Sequence, residues 1–417
     1  MFKQYFKFIV RKLSRNRVYT VINIVGLSIA FSAAWLIYSH TSNEWNMDGY
    51  LKNSDNIYRV ITRYGDEDFW NCRTNTPFGP AAKRTFPEIV QVARYFQKDY
   101  RIKIKDDQDF TIEPKLAFVD PPFFDLFEIP VIQGKIDTTV FSWIVFTETS
   151  AKRYFNKENP IGKTVTIKDG INNRKKDIKC QVVAVIKDFP ANSTIQANII
   201  VDCRQGIPYF DEHRGNYSLY TYFHILPTAD LRAIEKKLPT IASNMPDDVN
   251  HYSHRLQPLK DIYFHSDHLR EDELLRGSQS LTYLLWSITI LILLLAAGNF
   301  LLIRIAQQDR DSSRFAIHKC YGASNKHLFY QLLGEIGLQT GVILLSCILT
   351  YGLHPYFIQI LSPEHIYPFE LFNLSNFVFV GFICLIMGII CSILYFHFKH
   401  HVSREGVRGM LQPKPQQ

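Results

Sequence analysis

Aspartate, glutamate, lysine and arginine are missing altogether from four stretches of this 417-residue chain: 18–40, 278–303, 336–357 and 371–398. A helix rises 1.5 Å per residue, so about 20 mainly apolar residues cross the roughly 30 Å of bilayer hydrocarbon. Each stretch is long enough, and the third is expected to begin earlier, near Leu328. Helices buried in a soluble core rarely stay free of charge for so long. The absence argues against a wholly soluble protein. It predicts an integral membrane protein with four transmembrane α-helices, over 18–40, 278–303, 328–353 and 371–398.

Charge of one sign is also missing from the flanks. Lys3, Lys7, Arg11, Lys12, Arg15 and Arg17 precede the first run with no acid among them. Arg304, Arg310, Arg314, Lys319 and Lys326 lie between the second and third runs, and Lys399, Arg404, Arg408 and Lys414 follow the fourth. The 354–370 connection has Glu364 and Glu370 and neither lysine nor arginine. Lysine and arginine mark cytoplasmic loops. Segments 1–17, 304–327 and 399–417 are therefore expected in the cytoplasm, and 41–277 and 354–370 outside. The net charge of +8 gathers beside apolar runs instead of spreading over one soluble face, which argues against a nucleic-acid partner. The first run exceeds the 7–15 apolar residues of a signal core, so it is read as an uncleaved anchor.

Signatures of chemistry are scarce. Of seven cysteines, Cys72, Cys180 and Cys203 fall in the outside segment and no CxxC occurs. Three cannot all pair within the chain, which leaves room for one disulfide. Gly162-Lys163-Thr164 resembles the end of a phosphate-binding loop. Lys157 stands where that loop needs its first glycine, and strand-like residues follow instead of a helix. The pairs His251/His254 and His265/His268 lack the i, i+4 spacing of metal ligands on one helix face and are read as surface histidines. No serine elbow or environment-split carboxylate pair is present. No catalytic residue, cofactor or metal is expected.

What is present over 41–277 is an α+β pattern inserted between the first two spans. "NIYRVITRY", "SWIVFTE", "GKTVTIKD", "CQVVAVIKDF" and "SLYTYFHIL" read as strands. "ETSAKRYF" reads as a helix with Thr147 as its N-cap, and residues 230–238 as a helix capped by Thr228 or Asp230. Two helical pieces are expected at 81–85 and 88–95.

The plan resembles that of FtsX-like, MacB-type permeases of ABC transporter systems, over nearly the whole chain. "FKFIVRKLSRNRVYTVINIVGLSIAFSAAWLI" resembles the leading segment of such permeases in Bacteroidetes-type bacteria, with "NIVGLSIA" in place of "NIxGLxIG". "NIYRV", "FVDPPFFDLFEIPVIQGK", "IVFTETSAKRYFNKENPIGKTV", "VVAVIKDFPANSTI" and "LQPLKDIYFHS" resemble the periplasmic core. "FAIHKCYGAS" resembles "EIGIRKxLGAS", which lies between the second and third spans.

The resemblance implies a non-catalytic permease subunit in a bacterial inner membrane, with its large domain in the periplasm. It implies two copies of a separate ABC ATP-binding subunit and a second permease copy or similar half as partners. A periplasmic or outer-membrane partner is a further expectation. ATP hydrolysis in the partner would move the periplasmic domain, for efflux, lipoprotein handling or control of cell-wall enzymes. The alternative is a membrane-anchored ligand sensor or scaffold that works without an ATPase.

By the same resemblance, Arg314, Phe315, Ile317, His318, Lys319, Tyr321, Gly322, Ala323 and Ser324 form the coupling helix that docks on the ATPase. Gly322 suits a helix end and Ser324 the cap of the next helix. The chain departs from the family pattern at Arg314, where glutamate is usual, and at His318, where arginine is usual. Ala296, Ala297 and Gly298 are small enough for close helix approach. They are read equally as intramolecular packing and as a dimer face. Phe2, Tyr5, Phe6, Ile9, Val10 and Leu13 recur at helical spacing among lysines, as in a helix lying on anionic lipid.

Overall fold

The computed structural model describes residues 17–65, 67–104, 109–137, 142–168, 177–205, 219–242, 252–320 and 326–361, and parts of 371–389. It divides into two compact units, Asn46–Ser278 and the remainder, Met1–Trp45 with Gln279–Gln417.

The Asn46–Ser278 unit is built on one mixed sheet. Its strands are β1 (Ile57–Tyr64), β2 (Trp70–Asn71), β3 (Ile89–Lys103), β4 (Thr111–Val119), β5 (Val131–Gly134) and β6 (Trp143–Thr147), then β7 (Thr164–Ile167), β8 (Ile178–Ile186), β9 (Ile199–Asp202), β10 (Tyr220–Ile225), β11 (Tyr252–Pro258) and β12 (Leu269–Arg270). The order is β12-β2-β1-β10-β3-β4-β9-β6-β8-β5, with β11 on β1 and β7 bridging β3 and β8. That last bridge closes β3, β4, β9, β6, β8 and β7 into a ring. Alternate residues of each strand point to opposite faces. Leu116 and Phe118, Ile144 and Phe146, Ile199 and Val201, Val165 and Ile167 thus fill the interior of the ring as one cluster. The intervening Ala117, Val119, Trp143, Val145 and Ile200 join a second core with Tyr220, Tyr222 and Phe123. Strand β6 is consequently buried along its whole length, which explains the apolar run from Trp143 to Phe146.

Helix α1 (Arg17–Trp45) belongs to the other unit. In the domain, α2 (Phe78–Thr85) and α5 (Leu231–Ala242) contribute Phe78, Ala82, Ile234 and Leu238 to a third cluster with Val60 and Phe223. α3 (Phe123–Leu126) and α6 (Leu259–Ile262) are single turns. α4 (Glu148–Phe155) starts as expected, with the Thr147 side chain accepting from the Ser150 amide. At α5 the expected cap is Asp230, whose Oδ1 accepts from the amides of Arg232 and Ala233 at 3.0 and 3.2 Å.

Two expectations are corrected. Residues 88–95 are not helical; Ile89 opens the 15-residue strand β3, which pairs with β10 and β4. Ile89, Val90 and Val92 are β-branched and suit a strand flanked on both sides. His254 is not a surface residue. It is 4% exposed and stacks on Phe78 at 4.4 Å. Burial lowers its pKa to about 3, so it is neutral.

In the membrane unit, α7 (Gln279–Cys320) and α8 (Lys326–Leu361) both pack against α1. Among the described residues three helical segments are long and apolar enough to cross a membrane: Val21–Trp45, Gln279–Phe300 and Gly341–Ile360. A shorter apolar helix, Leu374–Ile383, falls within the fourth expected span. Helix α1 continues five residues past the charge-free run and so brings Glu44 into the bundle, 8% exposed. Thr282 of α7 donates to Glu44 Oε2 at 2.9 Å, and His40 lies 3.5 Å from Oε1. On α8, Ser346 donates to the Ser28 carbonyl at 3.3 Å and Thr350 to Ser32 Oγ at 3.0 Å. Such side chains satisfy one another where water is absent.

Candidate functional site: the incoming and outgoing segments of the domain

Two short segments, 46–51 and 269–278, join the domain to α1 and α7. Each is held by specific contacts inside the domain.

The incoming segment follows α1 directly. The Asn46 carbonyl accepts from Asn192 Nδ2 at 2.7 Å, and the Asp48 amide donates to the Asn192 carbonyl at 2.7 Å. The Asp48 carboxylate is buried, and accepts from the Thr194 amide at 3.0 Å and from Thr194 Oγ1 at 2.6 Å. Tyr50 and Ser193 share a hydrogen bond at 3.1 Å. Burial raises the Asp48 pKa to about 6, against the Thr194 hydrogen bonds. The partners all come from the "FPANST" turn after β8. Asp48 has φ +54°, a conformation that aspartate accepts more readily than most residues.

The outgoing segment ends at Ser278, one residue before α7. The Gly277 amide donates to the Tyr263 carbonyl at 2.9 Å. A Cβ on Gly277 would lie 2.1 Å from Tyr263 Cε1, so glycine is required for this approach. Further in, Asp272 Oδ2 lies 2.9 Å from Arg59 Nη1, with neither side chain exposed. Arg59 lies on β1 and also donates to Gln257 Oε1 at 3.1 and 2.8 Å and to Ser266 Oγ at 2.9 Å. Burial opposes the guanidinium charge, yet Asp272 holds its pKa above the usual value. Tyr220 Oη donates to the Glu271 carbonyl and accepts from the Glu273 amide at 2.8 Å. The last residues before α7 are thereby anchored to the first strand of the domain. Sequence reading missed this pair, because Arg59 and Asp272 are far apart in the chain and only the pairing of β1 with β11 aligns their surroundings.

The residues expected to act in coupling lie elsewhere. Residues 314–320, which include Arg314, Phe315, Ile317, His318 and Lys319, form the end of the 42-residue helix α7. Tyr321, Gly322, Ala323 and Ser324 lie outside the described residues, as do the first 16 residues. Ala296 and Ala297 pack partly against a cluster of Leu27, Phe300 and Val342, within the subunit. Nothing lies within 4 Å of a Cβ placed on Gly298. Cys72 and Cys180 are buried thiols, both pushed up to about 12 chiefly by burial, and Cys203 is buried too. Among the described residues, Cys72 and Cys180 are in no disulfide. Among the described residues no group of three metal-ligating side chains occurs.

Apolar helices long enough to span a bilayer, interrupted by a sheet-rich α+β domain, define a membrane protein with a large folded insertion. The profile of the MacB-like periplasmic core domain matches residues 20–241, and that of the FtsX-like permease C-terminal domain matches residues 286–399. The chain belongs to the MacB/FtsX-like family of ABC transporter permeases, membrane proteins with a periplasmic domain. No curated protein matches it. A domain described as that of a permease from Porphyromonas gingivalis aligns with TM-score 0.43 and 18% identity, covering 53% of this chain and 95% of its own. The periplasmic region of MacB from Actinobacillus actinomycetemcomitans aligns with TM-score 0.34 and 15% identity, covering 48% and 88%. The extracellular domain of the noncanonic ABC-type transporter YknZ from Gram-positive bacteria aligns with TM-score 0.36 and 13% identity, covering 48% and 99%.

Proposed function

We propose that this chain is the permease subunit of an ABC complex in which a separate ATPase subunit drives movement of the periplasmic domain. The observation that carries the reading is helix α7. It begins at the residue after the domain ends and runs unbroken for 42 residues to Cys320, about 63 Å at 1.5 Å per residue. Residues Gln279–Phe300 suffice for the bilayer. The remaining turns carry the same helix on to Arg314, Phe315, Ile317, His318 and Lys319. A displacement at that end travels along one helix to Ser278, and from there to Gly277, Asp272 and Arg59.

In this reading both termini and the segment around 304–327 are cytoplasmic, four helices span the membrane, and two copies of the permease assemble with two ATPases. Ala296, Ala297 and Gly298 are offered as part of the contact between copies. The ATPase docks on residues 314–324, and its surface has adapted to Arg314 and His318. The test is co-purification of an ABC ATPase with the full-length protein from its native cells. Lys319→Glu should abolish the association and lower the ATPase activity of the complex. If no ATPase accompanies the unaltered protein, the sensor or scaffold reading replaces this one.

A further inference from the structure

Five arginines of the domain are matched to carboxylates: Arg59 to Asp272, Arg73 to Glu273, Arg94 to Asp120, Arg153 to Glu113 and Arg204 to Asp202. Three others are held differently. The guanidinium carbons of Arg63 and Arg255 stand 5.3 and 4.6 Å from the centre of the Trp70 ring. That of Arg270 stands 3.6 Å from the centre of the Phe69 ring. Among the described residues, none of the three is in an ion pair, and Arg63 Nε is buried with no acceptor.

The sheet register brings Arg63 and Arg255 together. Thr62 pairs with Asn71 across β1 and β2, which sets Arg63 beside Trp70. Ile61 pairs with Arg255 across β1 and β11, so Arg255 flanks the same strand from the other side. Across β12 and β2, Leu269 pairs with Trp70 and Arg270 with Asn71, so Arg270 stands on the opposite face from Trp70 and has Phe69 as its own ring.

The same arrangement occurs a second time in the domain with its counter-charges in place. Arg59 and Arg73 stand 5.9 and 5.4 Å from the Tyr220 ring centre. There Asp272 and Glu273 complete the group at 2.9 and 3.0 Å. Around Trp70 the aromatic support and the guanidinium groups are present, and no carboxylate among the described residues pairs with them. Of the nearby acidic residues that the structure describes, Glu67, Asp68 and Glu271 are exposed and make no ion pair with these arginines.

We propose that Arg63 and Arg255, supported on Trp70, form a recognition site for the oxyanion groups, carboxylate or phosphate, of a ligand that binds the periplasmic domain. The planar guanidinium fork matches either oxyanion with two parallel hydrogen bonds. Stacking on a ring orients the fork in advance, so less side-chain freedom is lost on binding. The buried Nε of Arg63 gains an acceptor at the same time. The proposal does not depend on ATPase docking.

The test uses the full-length protein in a maltoside detergent, which carries no phosphate. Tryptophan fluorescence is followed while sodium pyrophosphate or sodium tricarballylate is added at constant ionic strength set with sodium chloride. A saturable change is expected with at least one of the two, and it should vanish in Trp70→Phe. A response to pyrophosphate alone assigns phosphate, and to tricarballylate alone assigns carboxylate. Arg63→Gln with Arg255→Gln should weaken binding at least about tenfold, as expected for loss of charge-assisted hydrogen bonds. Arg255→Gln alone alters an exposed residue and should weaken it measurably with an unchanged near-ultraviolet circular dichroism spectrum. Arg232→Gln, on α5, should leave it unaltered. No saturable response to either anion, or one that persists in the double variant, overturns the proposal.

Discussion

Arg59 Nη1 and Asp272 Oδ2 lie 2.9 Å apart, and neither side chain is exposed. Removing one partner leaves an uncompensated charge in the core, which costs about 3–5 kcal/mol. Arg59→Met and Asp272→Asn should each lower the unfolding midpoint of the full-length protein in detergent. Replacing both with apolar residues should recover part of that loss. A double variant no better than the worse single variant would count against an energetic pairing.

Gly277 and Gly49 should respond differently to alanine. At Gly277 the new Cβ meets the Tyr263 ring at 2.1 Å, where an aromatic core residue must move. At Gly49 it meets Asn46 Oδ1 at 2.1 Å, the tip of a side chain that can rotate. Gly277→Ala should therefore lower the melting temperature more, and Tyr263→Ala in the same chain should relieve the clash. Equal melting temperatures for the two glycine variants would contradict this.

His254 and Asp48 make opposite contributions to acid stability. The His254 pKa is lowered from 6.5 to about 3 by burial. Between those values the unfolded chain binds the proton and the folded one does not, so stability falls as pH falls. The Asp48 pKa is raised from 3.8 to about 6, chiefly by burial. In that window the folded state binds the proton, so stability rises as pH falls. The two terms oppose each other between about pH 4 and 6. Relative to the unaltered protein, Asp48→Asn should lose up to about 1.4 kcal/mol per pH unit on acidification through this range. His254→Phe should shift the slope in the opposite direction. Denaturant midpoints at several pH values provide the measurement.

Cys72, Cys180 and Cys203 are buried, and the thiolate is the reactive form. A maleimide added to the intact protein at neutral pH should leave all three unmodified by mass spectrometry, and denaturant should expose them. Labelling at Cys72 in the folded state would show that the 269–272 segment, whose Arg270 carbonyl accepts from Cys72 Sγ at 3.3 Å, opens readily.

Much of the architecture was readable in advance, because the physical signals are local. Charge-free runs report the bilayer. Thr147 and Asp230 cap their helices through atoms two or three residues away, which spacing alone can show. Residues 88–95 misled because a stretch with apolar residues at mixed spacing suits either a helix face or a strand buried on both sides, and only neighbouring strands decide between them. His254 misled in a related way. A histidine beside polar residues reads as exposed, yet strand pairing turns it inward onto Phe78. The run ending at His40 concealed the extra turn of α1, since Glu44 is tolerable in the bundle only where Thr282 and His40 receive it.

Membrane embedding, a large α+β domain between apolar helices and the resemblance to a family are all legible along the chain. Hydropathy, charge and short motifs carry that information along the chain. Tertiary structure decided what those signals cannot: that six strands close into a ring, that the incoming and outgoing segments are each held from within the domain, and that Arg59 finds Asp272. It also set Arg63 and Arg255 on one indole ring. These relations join residues up to about 200 positions apart, and they follow from strand register, which is settled only when the sheet assembles.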